Sequence, residues 1–213
     1  HFENGYLHWK DGETMLLDDG NAEKTFDERV SNADLEDMLW QIYPRDSVIF
    51  EENFDPGRIR HQAFFMKMYG KTKEEVAEKM TDVIWLPGIL NQKIRFSSVN
   101  GAAEALQRVS NALAAQRHLR TYLENPGGTF NWRTIAGTDR LSAHSFGIAI
   151  DINVAHSNYW RWAPEFKSGA PLKYRNKIPM EIVAAFEKEG FIWGGKWFHY
   201  DTMHFEYRPE LLL

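Results

Sequence analysis

Cysteine is missing from all 213 residues of the chain. Its absence removes disulfides, thiolate nucleophiles, iron–sulfur clusters and cysteine-ligated zinc together, so a metal could be held only by His, Asp and Glu. Long apolar runs are missing too. The longest, such as Val83-Ile84-Trp85-Leu86, fall far short of the roughly 20 residues that span a bilayer. Positive charge is not in excess: 25 Lys and Arg stand against 30 Asp and Glu, for a formal net charge of −5. No Lys/Arg run supplies the basic footprint that nucleic acid requires. Neither a membrane span nor a nucleic-acid partner is therefore expected. Internal repeats, low-complexity tracts and Pro/Gly/Ser-rich linkers are also lacking, which points to one globular domain, with an extension at most. At this length roughly 70% of the unfolded chain's surface can be buried, so folding needs no structural metal and any metal present is functional.

The segments that do show order alternate without a regular βαβ rhythm. Turn signals at Asp11-Gly12 and Asp18-Asp19-Gly20 suggest a short hairpin or a wrapped arm near the start. Leu35, Met38, Leu39 and Ile42 recur at helical spacing, predicting a helix from Ser31 that Pro44 ends. Thr72 and Glu75 read as a capping box, with Val76, Met80, Val83 and Ile84 as the buried stripe of a second helix that stops at Pro87. A third helix, carrying Leu106, Val109 and Leu113, follows Asn100 and closes at Asn125-Pro126-Gly127-Gly128. A fourth begins near Pro179, turns Ile182, Val183 and Phe186 inward, and has Gly190 just past its end. Strand-like runs are Thr129 to Ile135, Gly147 to Ile152, Phe191 to Trp193 and Met203 to Tyr207. The expected class is α+β, with an N-terminal helical extension over 1–94 packed on a core over 95–213.

Two clusters carry the chemistry. Ser142-Ala143-His144-Ser145-Phe146-Gly147-Ile148-Ala149-Ile150-Asp151-Ile152 sets a His in a turn and an Asp seven residues on, inside an Ile-rich strand. There Ile148, Ile150 and Ile152 face one way and Ala149 and Asp151 the other. A carboxylate so placed is costly to bury without a strong partner, and a divalent cation is one. Gly147 lets the backbone turn so that His144 reaches the same cation. The second cluster runs from Trp197-Phe198-His199-Tyr200-Asp201 to Thr202-Met203-His204-Phe205-Glu206-Tyr207, with Asp201 three residues before His204. Two imidazoles and one carboxylate make a three-ligand site with an open fourth position, as in catalytic zinc centres. Asp201, if not a ligand, is placed to accept a proton from water and pass it to a leaving amine.

The pair S-x-H-x-x-G-x-A-x-D and D-x-x-H-F-E resembles the zinc D-alanyl-D-alanine carboxypeptidase family, which includes vancomycin-resistance peptidases and L-alanyl-D-glutamate endopeptidases and shares the fold of the hedgehog amino-terminal domain. The likeness runs from about Gly101 to Pro209; the first ninety residues match no family. It implies a small antiparallel sheet presenting one Zn²⁺, with helices packed on one side. By the same resemblance His144, Asp151 and His204 are the zinc ligands and Asp201 is the base. Arg133, in Trp132-Arg133, is the nearest match to the family's oxyanion-binding Arg. Only the ten residues from Thr134 to Ala143 separate it from His144, where the family has a helix, so Arg140 is the alternative. Ser142, Trp197 and His199 are candidate substrate contacts. The substrate implied is the peptidoglycan stem peptide. The expected activity is release of a C-terminal D-amino acid such as D-Ala, or alternatively cleavage of an L-alanyl-D-glutamate or cross-link bond. A periplasmic or secreted location follows, with any signal peptide removed.

Each assignment has a plainer rival. His144 and Asp151 could form a hydrogen-bonded core pair, Asp201 could cap a turn, and Arg133 could be a surface ion-pair residue. His156, close after the Asp strand, is read as a loop residue. Trp160, Trp162, Trp193 and Trp197 could line a groove or fill the core. Glu206, on His204's face of the strand, could orient that imidazole. A zinc-containing binding module without catalysis and a metal-free structural protein remain the alternatives of other classes.

Overall fold

A computed structural model describes residues 1–212. Three small antiparallel sheets and seven helices follow one another in mixed order, an α+β architecture. The first sheet joins β1 (Phe2–Glu3), β2 (Tyr6–His8) and β3 (Thr14–Leu16). After it come α1 (Phe26–Ser31), α2 (Gln62–Tyr69) and α3 (Lys73–Glu78). A hairpin of β4 (Met80–Trp85) and β5 (Gln92–Ser97) leads to α4 (Ala102–Ala114) and the short α5 (Arg120–Leu123). The third sheet is built from β6 (Pro126–Gly128), β7 (Ala149–Asn153), β8 (Phe191–Trp193) and β9 (His204–Tyr207), in the order β6-β7-β9-β8. Between β7 and β8 lie α6 (Pro164–Ser168) and α7 (Met180–Lys188). Among the described residues no helix is long and apolar enough to cross a membrane.

Register in the third sheet decides which side chains meet. Asp151 pairs with His204, Ile150 with Phe205 and Ala149 with Glu206. Because successive residues alternate faces, Asp151, His204, Ala149 and Glu206 share one face while Ile150 and Phe205 share the other. The apolar face is closed by α7, whose Phe186 stacks on Phe205 with ring centroids 3.9 Å apart. The helix α4 packs in turn on α7 and β4. Ile148, Ile150, Ile152, Phe186, Phe191 and Phe205 are all fully buried there. One face of the sheet is thus dry core, and the other is left to the polar residues.

The helices at 102–114 and 180–188 lie where periodicity puts them, and Gly190 takes φ +92 just beyond the second. Five other expectations are corrected. No helix runs from Ser31 to Pro44: only a 3₁₀ turn forms at Asp37–Leu39, and Leu39 and Ile42 are exposed. Here Asp34 and Asp37 bond each other's backbone N–H groups at 2.8 and 3.1 Å, while the buried Lys24 ammonium grips both carboxylates. Side chains that satisfy the backbone locally compete with a helix. The true helix is α1, opened by the capping box of Thr25 and Glu28.

Thr72 does cap a helix, accepting a hydrogen bond from the Glu75 N–H, but α3 ends at Glu78 and Met80, Val83 and Ile84 belong to strand β4. Two polar side chains of α4 decide this. Gln107 and Ser110 bond the N–H and carbonyl of Ile84, and Ser110 also accepts from the Leu86 N–H. They complete the edge of a strand whose Thr81, Val83 and Ile84 favour extended backbone. The expected strand from Thr129 to Ile135 is a loop with a lone bridge from Thr134 to Leu141. The neighbouring Pro126–Gly128, expected to be a turn, is the edge strand instead. Finally, the N-terminal part is not merely helical, since it holds the first sheet and strand β4, and the expected boundary after residue 94 falls inside β5.

Candidate metal centre and active-site cleft

Three local devices bring the polar residues together. The Asp151–His204 pairing places those two side chains side by side, with His204 Nδ1 2.9 Å from Asp151 Oδ1. A 3₁₀ turn, Ala143–Phe146, carries His144. Ser142 opens that turn, its hydroxyl accepting from the His144 N–H at 3.4 Å, and Gly147 closes it at φ +66. Only glycine takes that left-handed conformation at no cost, and a Cβ there would also sit 3.1 Å from the Met80 methyl. The Gly147 carbonyl accepts from the Ser97 N–H at 2.8 Å, fastening the turn to β5.

The result is a buried group in which one atom each from His144, Asp151 and His204 lies within 4.8 Å of the others. His144 donates from Nδ1 to the Thr129 carbonyl at 3.3 Å, which leaves Nε2 with its lone pair. That Nε2 is buried and 3.2 Å from Asp151 Oδ1, yet makes no hydrogen bond. An unprotonated ring nitrogen facing a carboxylate oxygen is orphaned unless something positive sits between them. On the far side, His204 donates from Nε2 to Glu206 Oε1 at 2.9 Å, which leaves Nδ1, bonded to Asp151 Oδ1, as the nitrogen that would exchange its proton for a cation. Both imidazoles are therefore held by their outer nitrogens, as metal-binding histidines are. This donor set and its orphaned nitrogen fit a divalent cation held by His144 Nε2, Asp151 and His204 Nδ1. The clusters His1/Glu3/His8 and Asp18/Asp19/Asp34 also gather ligand atoms but lie largely exposed.

Electrostatics reflect the same crowding. Burial works to raise the Asp151 carboxyl, but the His144 and His204 rings outweigh it and hold it well below the ordinary range. Burial works to lower the His204 pKa, but its hydrogen bonds to Asp151 and Glu206 push it up to about 10. Glu206 is held low, against its own burial, chiefly by Arg60, whose Nη1 lies 3.0 Å away. Asp201 behaves oppositely. Burial, reinforced by Asp151, pushes its carboxyl up to about 7, although His204 and Arg58 work to lower it. Its Oδ1 is buried with no hydrogen-bond partner.

A cleft of about 160 Å³ opens onto this group, and His144, Asp151, His204 and Asp201 all line it. Of the candidate substrate contacts, His199 lines it with its side chain 18% exposed, and Trp197 lines it from a buried position, donating its indole N–H to the Pro56 carbonyl at 2.8 Å. Ser142 lines it as well as capping the His144 turn. Arg133 also lines it, whereas Arg140 lies outside and donates to the Arg58 carbonyl at 2.9 Å. Arg133 is placed by Ser145, a fully buried residue to which no role fell on sequence grounds. Its hydroxyl accepts from the Arg133 N–H at 3.0 Å and donates to the Arg133 carbonyl at 2.8 Å. Trp193 is pure core, and Trp162 is exposed. His156 bonds Thr121 on the outside, away from the metal ligands. Arg58 and Arg60, on the same cleft, were missed because no motif marks them; they sit in the irregular segment before α2.

Residues 136–207 match the family model described as D-alanyl-D-alanine carboxypeptidase. Neither a search of curated proteins nor a search of solved structures gives a match. The matched stretch contains His144, Asp151, Asp201 and His204, together with Ser142, Trp197 and His199. Arg133 lies just before it, and Arg58 and Arg60 far before it.

Proposed function

We propose that the protein is a zinc metallopeptidase that hydrolyses amide bonds in peptidoglycan stem peptides, releasing a C-terminal D-amino acid such as D-Ala. The observation that carries this reading is the orphaned His144 Nε2 against Asp151 and His204, with the unpartnered Oδ1 of Asp201 on the same cleft. Zinc held by the three side chains supplies Lewis acidity, lowering the pKa of water toward about 7 and polarising a carbonyl. Asp201 takes a proton from the attacking water on Oδ1 and returns it to the leaving nitrogen. A carboxyl pushed up to about 7 is matched to both transfers. Arg133, anchored through its backbone by Ser145, offers a positive donor to the oxyanion that develops on the scissile carbonyl oxygen. Ser142, Trp197 and His199 contact the substrate. Residues 95–213 form the peptidase core, and 1–94 form an extension packed on it that supplies one wall of the cleft through Arg58 and Arg60. A stem-peptide substrate places the protein in the periplasm or outside the cell.

Mass spectra of defined tetrapeptide, pentapeptide and cross-linked stems incubated with the protein test this reading. A loss of one terminal D-Ala from the pentapeptide, blocked by a chelator, is the expected result. Scission at an internal L-Ala-D-Glu or cross-link bond would replace the carboxypeptidase reading with an endopeptidase. Unchanged stems with zinc bound would leave a binding module.

A further inference from the structure

The strongest unexplained contact on the cleft comes from outside the matched stretch. Asp55 is completely buried in the loop before α2, and its backbone N–H is held by Gln41 Oε1 at 2.8 Å. Its two carboxylate oxygens are turned onto His199: Oδ1 accepts the His199 backbone N–H at 2.9 Å, and Oδ2 accepts from the His199 ring Nδ1 at 2.6 Å. Arg58 adds a hydrogen bond to Oδ2 at 2.8 Å. Burial alone would raise the Asp55 carboxyl, but the His199 and Arg58 contacts hold it below the ordinary value, so it accepts as a carboxylate.

The flanking chain is joined to the same stretch. The Phe198 N–H donates to the Phe54 carbonyl, and the Trp197 indole to the Pro56 carbonyl, both at 2.8 Å. Residues 54–56 therefore grip 197–199 at three successive positions. The His199 ring is wedged between Trp160, 4.6 Å away edge-on, and Phe26, which stacks on it at 6.1 Å. With Nδ1 consumed by Asp55 and the ring lining the cleft, Nε2 is the atom left for a ligand. Among the described residues no hydrogen bond reaches it.

We infer that Asp55 is a positioning residue for the reaction proposed above. It fixes His199 with the proton on Nδ1 and turns Nε2 to the substrate, so that the N-terminal segment completes a site whose metal ligands begin at His144, far downstream. The inference rests on the peptidase reading only for its kinetic consequence. A buried carboxylate that selects an imidazole tautomer acts through geometry, and its loss is felt as a wrong tautomer in an intact site.

The test couples nitrogen-15 NMR of the His199 ring with kinetics on the stem that the protein cleaves. In the wild-type protein the ring carries its proton on Nδ1. In Asp55→Asn, whose amide can donate to Nδ1, the Nε2–H form appears. In the same variant kcat falls about 10- to 100-fold, with KM changed less than about twofold and zinc content unchanged. In a His199→Ala background, Asp55→Asn lowers kcat no further, because the two act as one unit. A wild-type His199 protonated on Nε2, or an equal loss of kcat from Asp55→Asn with and without His199, would overturn the inference. Should Asp55→Asn not fold, the wild-type tautomer still decides. Should no stem be cut, the tautomer result stands by itself while the peptidase reading falls.

Discussion

Asp201→Asn lowers kcat/KM on a cleaved stem peptide by roughly 10²- to 10⁴-fold while leaving one zinc per chain. That range is the usual contribution of a positioned general acid–base, and the retained metal separates a base from a ligand. The size follows from the environment. Asp201 is held by the backbone, its N–H donating to the Gly194 carbonyl at 2.9 Å and its carbonyl accepting from the His204 N–H at 3.2 Å. The carboxylate is steadied by the Met203 backbone N–H, and Oδ1 is left with no partner. Asparagine keeps the shape and removes the ability to take a proton. If Asp201 served only to cap the turn before β9, the variant would lose stability and keep its kcat, and melting curves recorded beside the kinetics would show it.

His144→Ala has the larger consequence for the metal: binding falls from one ion per chain to none, and activity goes with it. Asp151 and His204 alone leave two protein ligands, too few for a catalytic zinc site. The metal-free variant keeps its fold, with a change in stability on the order of 1 kcal/mol. His144 stands on a turn capped at both ends by Ser142 and Gly147, and the one hydrogen bond of its ring is a 3.3 Å contact to the Thr129 carbonyl. A core network residue would behave in reverse, costing several kcal/mol with or without metal. Zinc analysis after dialysis, together with urea titration of the metal-free forms, distinguishes the two.

How much of this was legible in the sequence depended on whether the determining contact was local. The helices at 102–114 and 180–188 carry long apolar stripes with stop signals, and local pattern suffices. The polar face of the third sheet was equally readable. Alternation around Asp151 and again around His204 already puts Ala149 with Asp151 and Glu206 with His204, and the register then brings the two pairs opposite each other. Strand β4 was misread because its Val83 and Ile84 fit a helical stripe begun at Val76. The deciding partners, Gln107 and Ser110, lie over twenty residues away on α4. The stretch 31–44 was misread because apolar spacing outweighed two aspartates that bond the backbone and a lysine that grips them both. Thr25 and Glu28 displayed the real helix start without an apolar stripe to draw attention to it.

The site divides along the same line. His144, Asp151, Asp201 and His204 sit in two short motifs, each recognisable from residue type and spacing. Ser145, which fastens Arg133, and Asp55, which fastens His199, make contacts spanning 12 and 144 residues with no motif of their own. Position within a motif is visible in one sequence. The parts that aim the side chains are visible only once the chain is folded.

The most direct test of the account is a zinc titration of the chelator-stripped protein, following D-Ala release from a pentapeptide stem. The account predicts no release without metal, a linear rise as zinc is added, and a plateau at one equivalent, with His144→Ala flat throughout. Release that persists in the stripped protein, or that fails to appear at one bound zinc per chain, would contradict it.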